Sequence, residues 1–351
     1  MAGLDIVSNK GSNEDMRWDD QNVRVDDGAL PGLERIGFVR SVRTPQFDGI
    51  TFHEVLCKSA LNKVPHATAL PFQYTVNGYR GCSHACRYCF ARPTHEYLDM
   101  NCGNDFDTQV VVKTNVVDVL RRELSRKSWR RETVALGTNT DPYQRAEGRY
   151  ALMPGIIGAL AESGTPLSIL TKGTLLRRDL PLIADAAQQV SVGVSVSLAV
   201  GDPELHKQVE PGTPGPQARL GLIAAIRDAG LHCHVMVAPV LPYLTDSVDH
   251  LDSLLRQIAA AGANGVTVFG LHLRGSTRGW FMSWLSQTHP QLVGRYRELY
   301  RRGAYLPPWY RDELRARAAP VIARHGLGGE SRRFEAVTPQ RVAETVQQTL
   351  F

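Results

Sequence analysis

No apolar run in this sequence approaches the roughly 18 residues that a membrane-crossing helix needs. The first ten residues carry Asp5 and Lys10 and no apolar stretch of secretory-signal length. Neither export nor a membrane partner is expected, and the chain is expected in the cytoplasm. Lysine is scarce, with seven residues among the 40 basic ones. No short-period repeat is present. These absences, with 43% hydrophobic and 21% charged residues, exclude a membrane protein, a secreted precursor, a collagen and a wholly disordered chain. A length of 351 residues allows one large α/β domain or two ordinary ones.

Charge is unevenly placed. Residues 1–30 hold seven acids against Lys10, Arg17 and Arg24, a balance of −4, so that the rest of the chain carries +9 of the net +5. The acidic stretch reads as a disordered tail, and residues 31–70, broken by Pro45 and Pro65, as a small irregular amino-terminal layer. A basic body suits polyanions such as nucleic acid, although an Arg-rich, Ala-rich composition also follows from genome bias.

From about residue 71 to 275, β-rich runs alternate with helix-like segments. The runs are 72–76, 133–136, 166–171, 190–198, 231–240 and 265–273. Between them lie helical patterns at 116–127, 153–162, 180–189, 217–229 and 248–261. Gly230 stands at a helix stop, and Asp246 or Ser247 at a helix start. Six strands alternating with five helices predict parallel βα units, either an open barrel or a doubly wound sheet. Both place a site at the carboxyl ends of the strands. After 275 the alternation ends, and residues 276–351 read as a helical carboxyl-terminal extension with helices at 311–325 and 338–350.

The six cysteines are Cys57, Cys82, Cys86, Cys89, Cys102 and Cys233. Three of them fall in Cys82-Ser83-His84-Ala85-Cys86-Arg87-Tyr88-Cys89, a C-x3-C-x2-C spacing just after the first predicted strand. Three thiolates on one short loop can hold three corners of a cubane iron–sulfur cluster and leave one iron open. The other reading is a structural zinc site completed by His84, His95 or Cys102, for which a second paired unit is missing.

With Asn77-Gly78-Tyr79-Arg80-Gly81-Cys82 before it and Cys89-Phe90-Ala91-Arg92 after it, this loop resembles that of radical S-adenosylmethionine (SAM) enzymes. The wider match resembles the bacterial spore photoproduct lyase-like, or DNA repair photolyase-like, subgroup. The resemblance covers about residues 60–275. It implies an α/β fold, a partial (β/α)6 TIM-like barrel of the radical SAM type. It implies a 4Fe–4S cluster on Cys82, Cys86 and Cys89 and S-adenosyl-L-methionine on its open iron. One electron from a donor such as flavodoxin or ferredoxin then breaks the sulfonium bond, and a 5′-deoxyadenosyl radical abstracts hydrogen from substrate. Tyr88 matches the aromatic position beside the adenine. Asn139, Thr140 and Asp141, at the second strand end, match the methionine-ammonium site, and Lys172, at the third, the methionine-carboxylate site. Ser195 and Ser197 on the fourth strand suit ribose contacts. For most of these positions an ordinary turn or a satisfied core residue is the competing reading. Glu210 and Arg219 read as an ion pair that fixes a loop.

One position departs from the subgroup. Where the lyase carries a hydrogen-donor cysteine, this chain has Gly137. Tyr88, Tyr143 and Cys233 are the remaining donor candidates. Two basic stretches, 121–131 and the aromatic-laced 295–317, can contact phosphates and bases or be a solvated face over a buried stripe. The expected function is radical SAM chemistry on nucleic acid. The same chemistry on a peptide or protein, and a noncatalytic zinc-dependent nucleic-acid-binding protein, are the alternatives.

Overall fold

The structure is a computed structural model that describes residues 24–26, 37–65 and 70–328. Most of the 1–30 tail and the helix expected at 338–350 lie outside them. Among the described residues twelve strands form two sheets. They are β1 (Arg24–Asp26), β2 (Phe38–Arg43), β3 (Thr51–Val55), β4 (Leu61–Lys63), β5 (Tyr74–Val76), β6 (Tyr79–Arg80), β7 (Gln109–Lys113), β8 (Val134–Leu136), β9 (Leu167–Thr171), β10 (Val192–Ser197), β11 (Cys233–Val240) and β12 (Gly265–Gly270).

The larger sheet runs β12-β11-β10-β9-β8-β5-β4. Its six strands from β5 to β12 are parallel and stand in sequence order, and β4 pairs antiparallel with β5. These six are the six apolar runs of the sequence. Helices Val116–Leu124, Leu152–Glu162, Leu180–Ala187, Pro216–Asp228 and Val248–Ala260 connect them in turn. Ser247, not Asp246, caps the last of these, its hydroxyl accepting from the His250 amide. β4 and β12 do not pair, so the α/β barrel is open. Side chains alternate along each strand. On β10, Val194 and Val196 are buried among the helices, while Ser195 and Ser197 share the opposite face.

The smaller sheet runs β1-β2-β3-β7-β6. Residues 38–43 and 51–55 are thus regular strands where the sequence suggested an irregular layer. Its function is visible in the chain path. β5 ends in the large sheet at Val76, two residues later β6 joins the small one, and β7 returns beside β6. The whole excursion from Gly81 to Thr108, with the three clustered cysteines, therefore starts and ends on paired strands.

The carboxyl-terminal extension contributes helices Thr277–Thr288, Val293–Leu299 and Pro308–Arg324. It meets the free edge of β12, where the Val266 amide donates to the Leu327 carbonyl, and beyond the strand's end the Leu273 amide donates to Ala304. Its own Tyr296, Tyr300 and Tyr310 are fully buried. Their hydroxyls donate to the carbonyls of Pro242 and Leu271 and to the Asp246 carboxylate. Among the described residues no helix is long and apolar enough to cross a membrane.

Candidate functional site

The carboxyl ends of the parallel strands and the cysteine loop enclose one cavity of about 370 Å³. From the loop, Cys82, His84, Cys86, Tyr88, Cys89 and Phe90 line it. From the strand ends come Gly137, Asn139, Thr140 and Asp141 after β8, Lys172 after β9, Ser197 of β10, Met236 of β11 and Phe269 of β12. Ser195 lies two residues below Ser197 on the same face and is not among the lining residues. Cys57, Cys102 and Cys233 are also outside the cavity.

The loop is held by groups from four places. Gln144 is fully buried; its amide donates to the Gly81 carbonyl and its carbonyl accepts from the Ser83 amide, both at 3.0 Å. Arg92, also fully buried, donates to the carbonyls of Cys86, Cys102 and Gly103 and pairs with Asp107 at 2.8 Å. Thr277 of the extension donates to the Cys89 carbonyl at 3.0 Å. The Arg87 amide donates to Val209, and the Gly212 amide to His84. Gly212 is required at that approach, since a β-carbon there would stand 2.0 Å from the Ser83 carbonyl oxygen.

Behind the loop lies a charged network. Glu210 is fully buried. One of its oxygens accepts from the Tyr88 hydroxyl and faces Lys172 Nζ at 3.4 Å, and the other pairs with Arg219 at 2.5 Å. Burial opposes the Glu210 charge, but Arg219 and Lys172 outweigh it and hold the carboxyl far below its ordinary pKa. Arg219 also donates to the Ser197 carbonyl, and Lys172 Nζ to the Ser197 hydroxyl. Lys172 lies 5.7 Å from the Tyr88 ring centroid. Glu210 and Arg219 form the ion pair expected of them, and Lys172, Tyr88 and Ser197 are joined to it.

A second buried carboxylate organises the β8 end. Asp141 accepts from the Thr171 hydroxyl, from the Tyr143 amide and from the Lys172 amide, and faces His84 at 3.4 Å. Burial disfavours the His84 cation, yet the Cys82 sulfur and the Asp141 carboxylate raise its pKa above the ordinary value. Thr140 donates to the Tyr79 carbonyl. Asn139 has no side-chain partner among the described residues.

At Gly137 φ is +89° and a β-carbon would stand 2.0 Å from the Leu170 carbonyl oxygen. The position that matches a donor cysteine admits no side chain in this backbone. Cys233 is on the face of β11 opposite Met236, turned toward the helices, and burial pushes its thiol up to about 12. Tyr143 is packed in the core. Of the donor candidates, Tyr88 alone reaches the cavity.

The donor set itself suits iron–sulfur chemistry. Three thiols face one cavity, and without metal, burial pushes Cys86 well above its ordinary pKa and Cys89 up to about 11. Among the described residues no three His, Cys, Asp or Glu converge as ligands of a single ion. Residues 76–258 match the radical SAM superfamily. The chain belongs to that superfamily. This radical SAM enzyme is 78% identical over 341 residues to uncharacterized proteins of Mycobacterium tuberculosis and Mycobacterium bovis, covering 96% of this chain and 100% of theirs. Among solved structures it resembles a variant of spore photoproduct lyase, with TM-score 0.59 at 15% identity over 79% of this chain and 80% of that one. A further variant of that lyase, with bound AdoMet and dinucleoside spore photoproduct, gives TM-score 0.56 at 15% identity over 74% and 76%. At such identity the likeness is one of fold.

Gln144 and Thr277 had no role in the sequence reading, and His84 entered it only as a candidate zinc ligand. His84 lies inside the cysteine motif and Arg92 inside the run that carried the resemblance, so both were within reach. Gln144 and Thr277 come from distant elements, with no local pattern to mark them.

Proposed function

We propose that this radical SAM enzyme holds a 4Fe–4S cluster on Cys82, Cys86 and Cys89 and binds S-adenosylmethionine against the facing strand ends. Its substrate is proposed to be nucleic acid. The observation that carries the reading is the meeting, in one cavity, of three loop thiols with Asn139, Lys172 and Ser197 from three successive strand ends. Three thiols on one short loop that line one cavity match the ligand number of a cluster with one open iron. When bound and reduced by an external electron donor, the cluster supplies the electron that cleaves S-adenosylmethionine to a 5′-deoxyadenosyl radical.

The chain's own residues do the rest. Lys172 presents an ammonium to a carboxylate, with Glu210 and Ser197 holding its direction. Asp141 has both oxygens engaged and acts as a positioning group that ties the β8 and β9 ends to His84. Asn139 is left as the acceptor for the methionine ammonium. Tyr88, fixed through Glu210, offers a ring face to adenine, and the Ser197 hydroxyl is beside it for ribose. Gly137 leaves no thiol at the β8 end, so repair of spore photoproduct by a donor cysteine there is not part of this proposal. The fold likeness to a DNA-repair lyase and the basic body support nucleic acid over peptide.

The test is anaerobic reconstitution. Wild-type protein is expected to be brown, to bind iron, and to release 5′-deoxyadenosine from S-adenosylmethionine when reduced. Cys86→Ala is expected to do none of these. A colourless protein that retains zinc, or full iron loading in Cys86→Ala, would overturn the cluster assignment. Stimulation of 5′-deoxyadenosine release by peptides but not by oligonucleotides would overturn the substrate class.

A further inference from the structure

A second cavity, of about 200 Å³, adjoins the first, and Phe269 and His272 line both. Its floor is apolar, made by Leu306, Leu314 and Ile322, and its rim carries Arg311 and Arg315 with no carboxylate in the lining. The Phe269 and His272 rings stack at 28° with centroids 5.8 Å apart, and the Tyr305 ring stands edge-on to His272 at 4.7 Å. Arg274 lies over the Tyr305 ring at 4.9 Å. Burial first, then Arg274 and Arg311, keep His272 below its ordinary pKa, so it is an uncharged ring at neutral pH.

The basic, aromatic segment 295–317 thus divides into two parts. Tyr296, Tyr300 and Tyr310 are buried core. Tyr305, Trp309, Arg311 and Arg315 remain exposed; Arg311 and Arg315 line the second cavity, and Tyr305 packs against His272, which lines both. Arg311 has no ion pair among the described residues. Arg315 has one with Asp312 at 2.9 Å, with 75% and 66% of the two side chains exposed. Such an exposed pair adds little stability and exchanges readily for a phosphate.

We infer that the second cavity seats a base of a nucleic-acid strand next to the nucleotide that enters the first, with Arg311 and Arg315 on the intervening phosphates. The inference rests on the nucleic-acid reading above and adds where the strand is gripped. A flat apolar slot with stacked rings on one wall accepts any base face, and two cations on its rim track the backbone. A strand with one base in the reacting cavity has its neighbour within one phosphate of it. The shared wall of Phe269 and His272 is the partition such a pair of bases needs.

The experiment measures anisotropy of a fluorescein-labelled single-stranded thymidine dodecamer with the full chain over a range of salt. Arg311→Gln with Arg315→Gln should weaken binding about tenfold or more and reduce the salt slope by about 1.4, as loss of two single-strand phosphate contacts requires. Ala319→Trp fills the second cavity from an exposed helix position. It should weaken the thymidine strand and leave an abasic strand of equal length unaffected. Arg121→Gln with Arg126→Gln, in the other basic stretch, should leave affinity unchanged, and thermal melting checks that each variant folds. Equal affinity in wild type and the first two variants would overturn the inference and leave the nucleic-acid reading standing. No binding of the strand by wild type would overturn both. Loss of acidic-peptide binding, with strand binding intact, would assign the cavity to a peptide and overturn the inference.

Discussion

Glu210 shows how much one side chain determines here. It is fully buried and joins Tyr88, Lys172 and Arg219 into one unit behind the cysteine loop. A buried pair adds little net stability when intact, but breaking it leaves an uncompensated charge, at a cost of about 3–5 kcal/mol. Glu210→Gln is therefore expected to lower stability by about that amount, because Arg219 keeps its charge. The pH dependence has a definite sign. The folded pKa of Glu210 lies below its ordinary value of 4.5. Its contribution is present in full above pH 4.5 and is lost as pH falls toward the folded value. Acid denaturation curves should show a steep loss below pH 4.5 in wild type and a shallower one in Glu210→Gln. Identical acid limbs in the two proteins would refute the assignment of that charge.

At the scale of elements, the cysteine loop has little regular structure of its own and is shaped from outside. β6 and β7 set its ends. The turn after β8 supplies Gln144, and the first helix of the extension supplies Thr277. Removing such a partner leaves a buried backbone group unsatisfied, at about 1–3 kcal/mol each. Gln144→Ala orphans both the Ser83 amide and the Gly81 carbonyl, and should loosen the loop without touching a thiol. Reconstituted Gln144→Ala is expected to lose iron to a chelator several-fold faster than wild type, with all three cysteines still titratable after unfolding. An unchanged rate of iron loss would show that the remaining anchors suffice.

On the scale of the whole molecule, an open barrel leaves β12 with an unpaired edge, a template for aggregation unless covered. The extension meets it through Leu327 and buries three tyrosines against Pro242, Leu271 and Asp246. It also holds Cys89 through Thr277 and forms the second cavity. Truncation after Arg274 should expose that edge and the apolar faces beneath it. The shortened protein is expected to aggregate, as read by size-exclusion chromatography. A soluble monomer with a cooperative melt would show the barrel to be self-sufficient.

Much of this architecture is legible in the sequence, because local pattern carries it. Period and run length determined the six parallel strands and five helices, whose side chains must be buried on both faces or on one stripe. The cysteine spacing marked the loop, since three thiols on one short segment sit at short, readable intervals. Glu210 and Arg219, nine residues apart, could be paired on the same ground. What only the tertiary structure decided is which distant groups meet. Gln144 lies 61 positions from Ser83 and Thr277 lies 188 from Cys89, and no periodicity encodes such contacts. β2, β3 and β7 were missed because short strands in a small mixed sheet lack the repeated βα rhythm. The division of 295–317 into buried tyrosines and an exposed arginine rim, and the closeness of Leu170 that leaves Gly137 no room for a thiol, depend on what packs opposite each residue. That is a property of the folded chain, in which segments far apart in sequence share one volume.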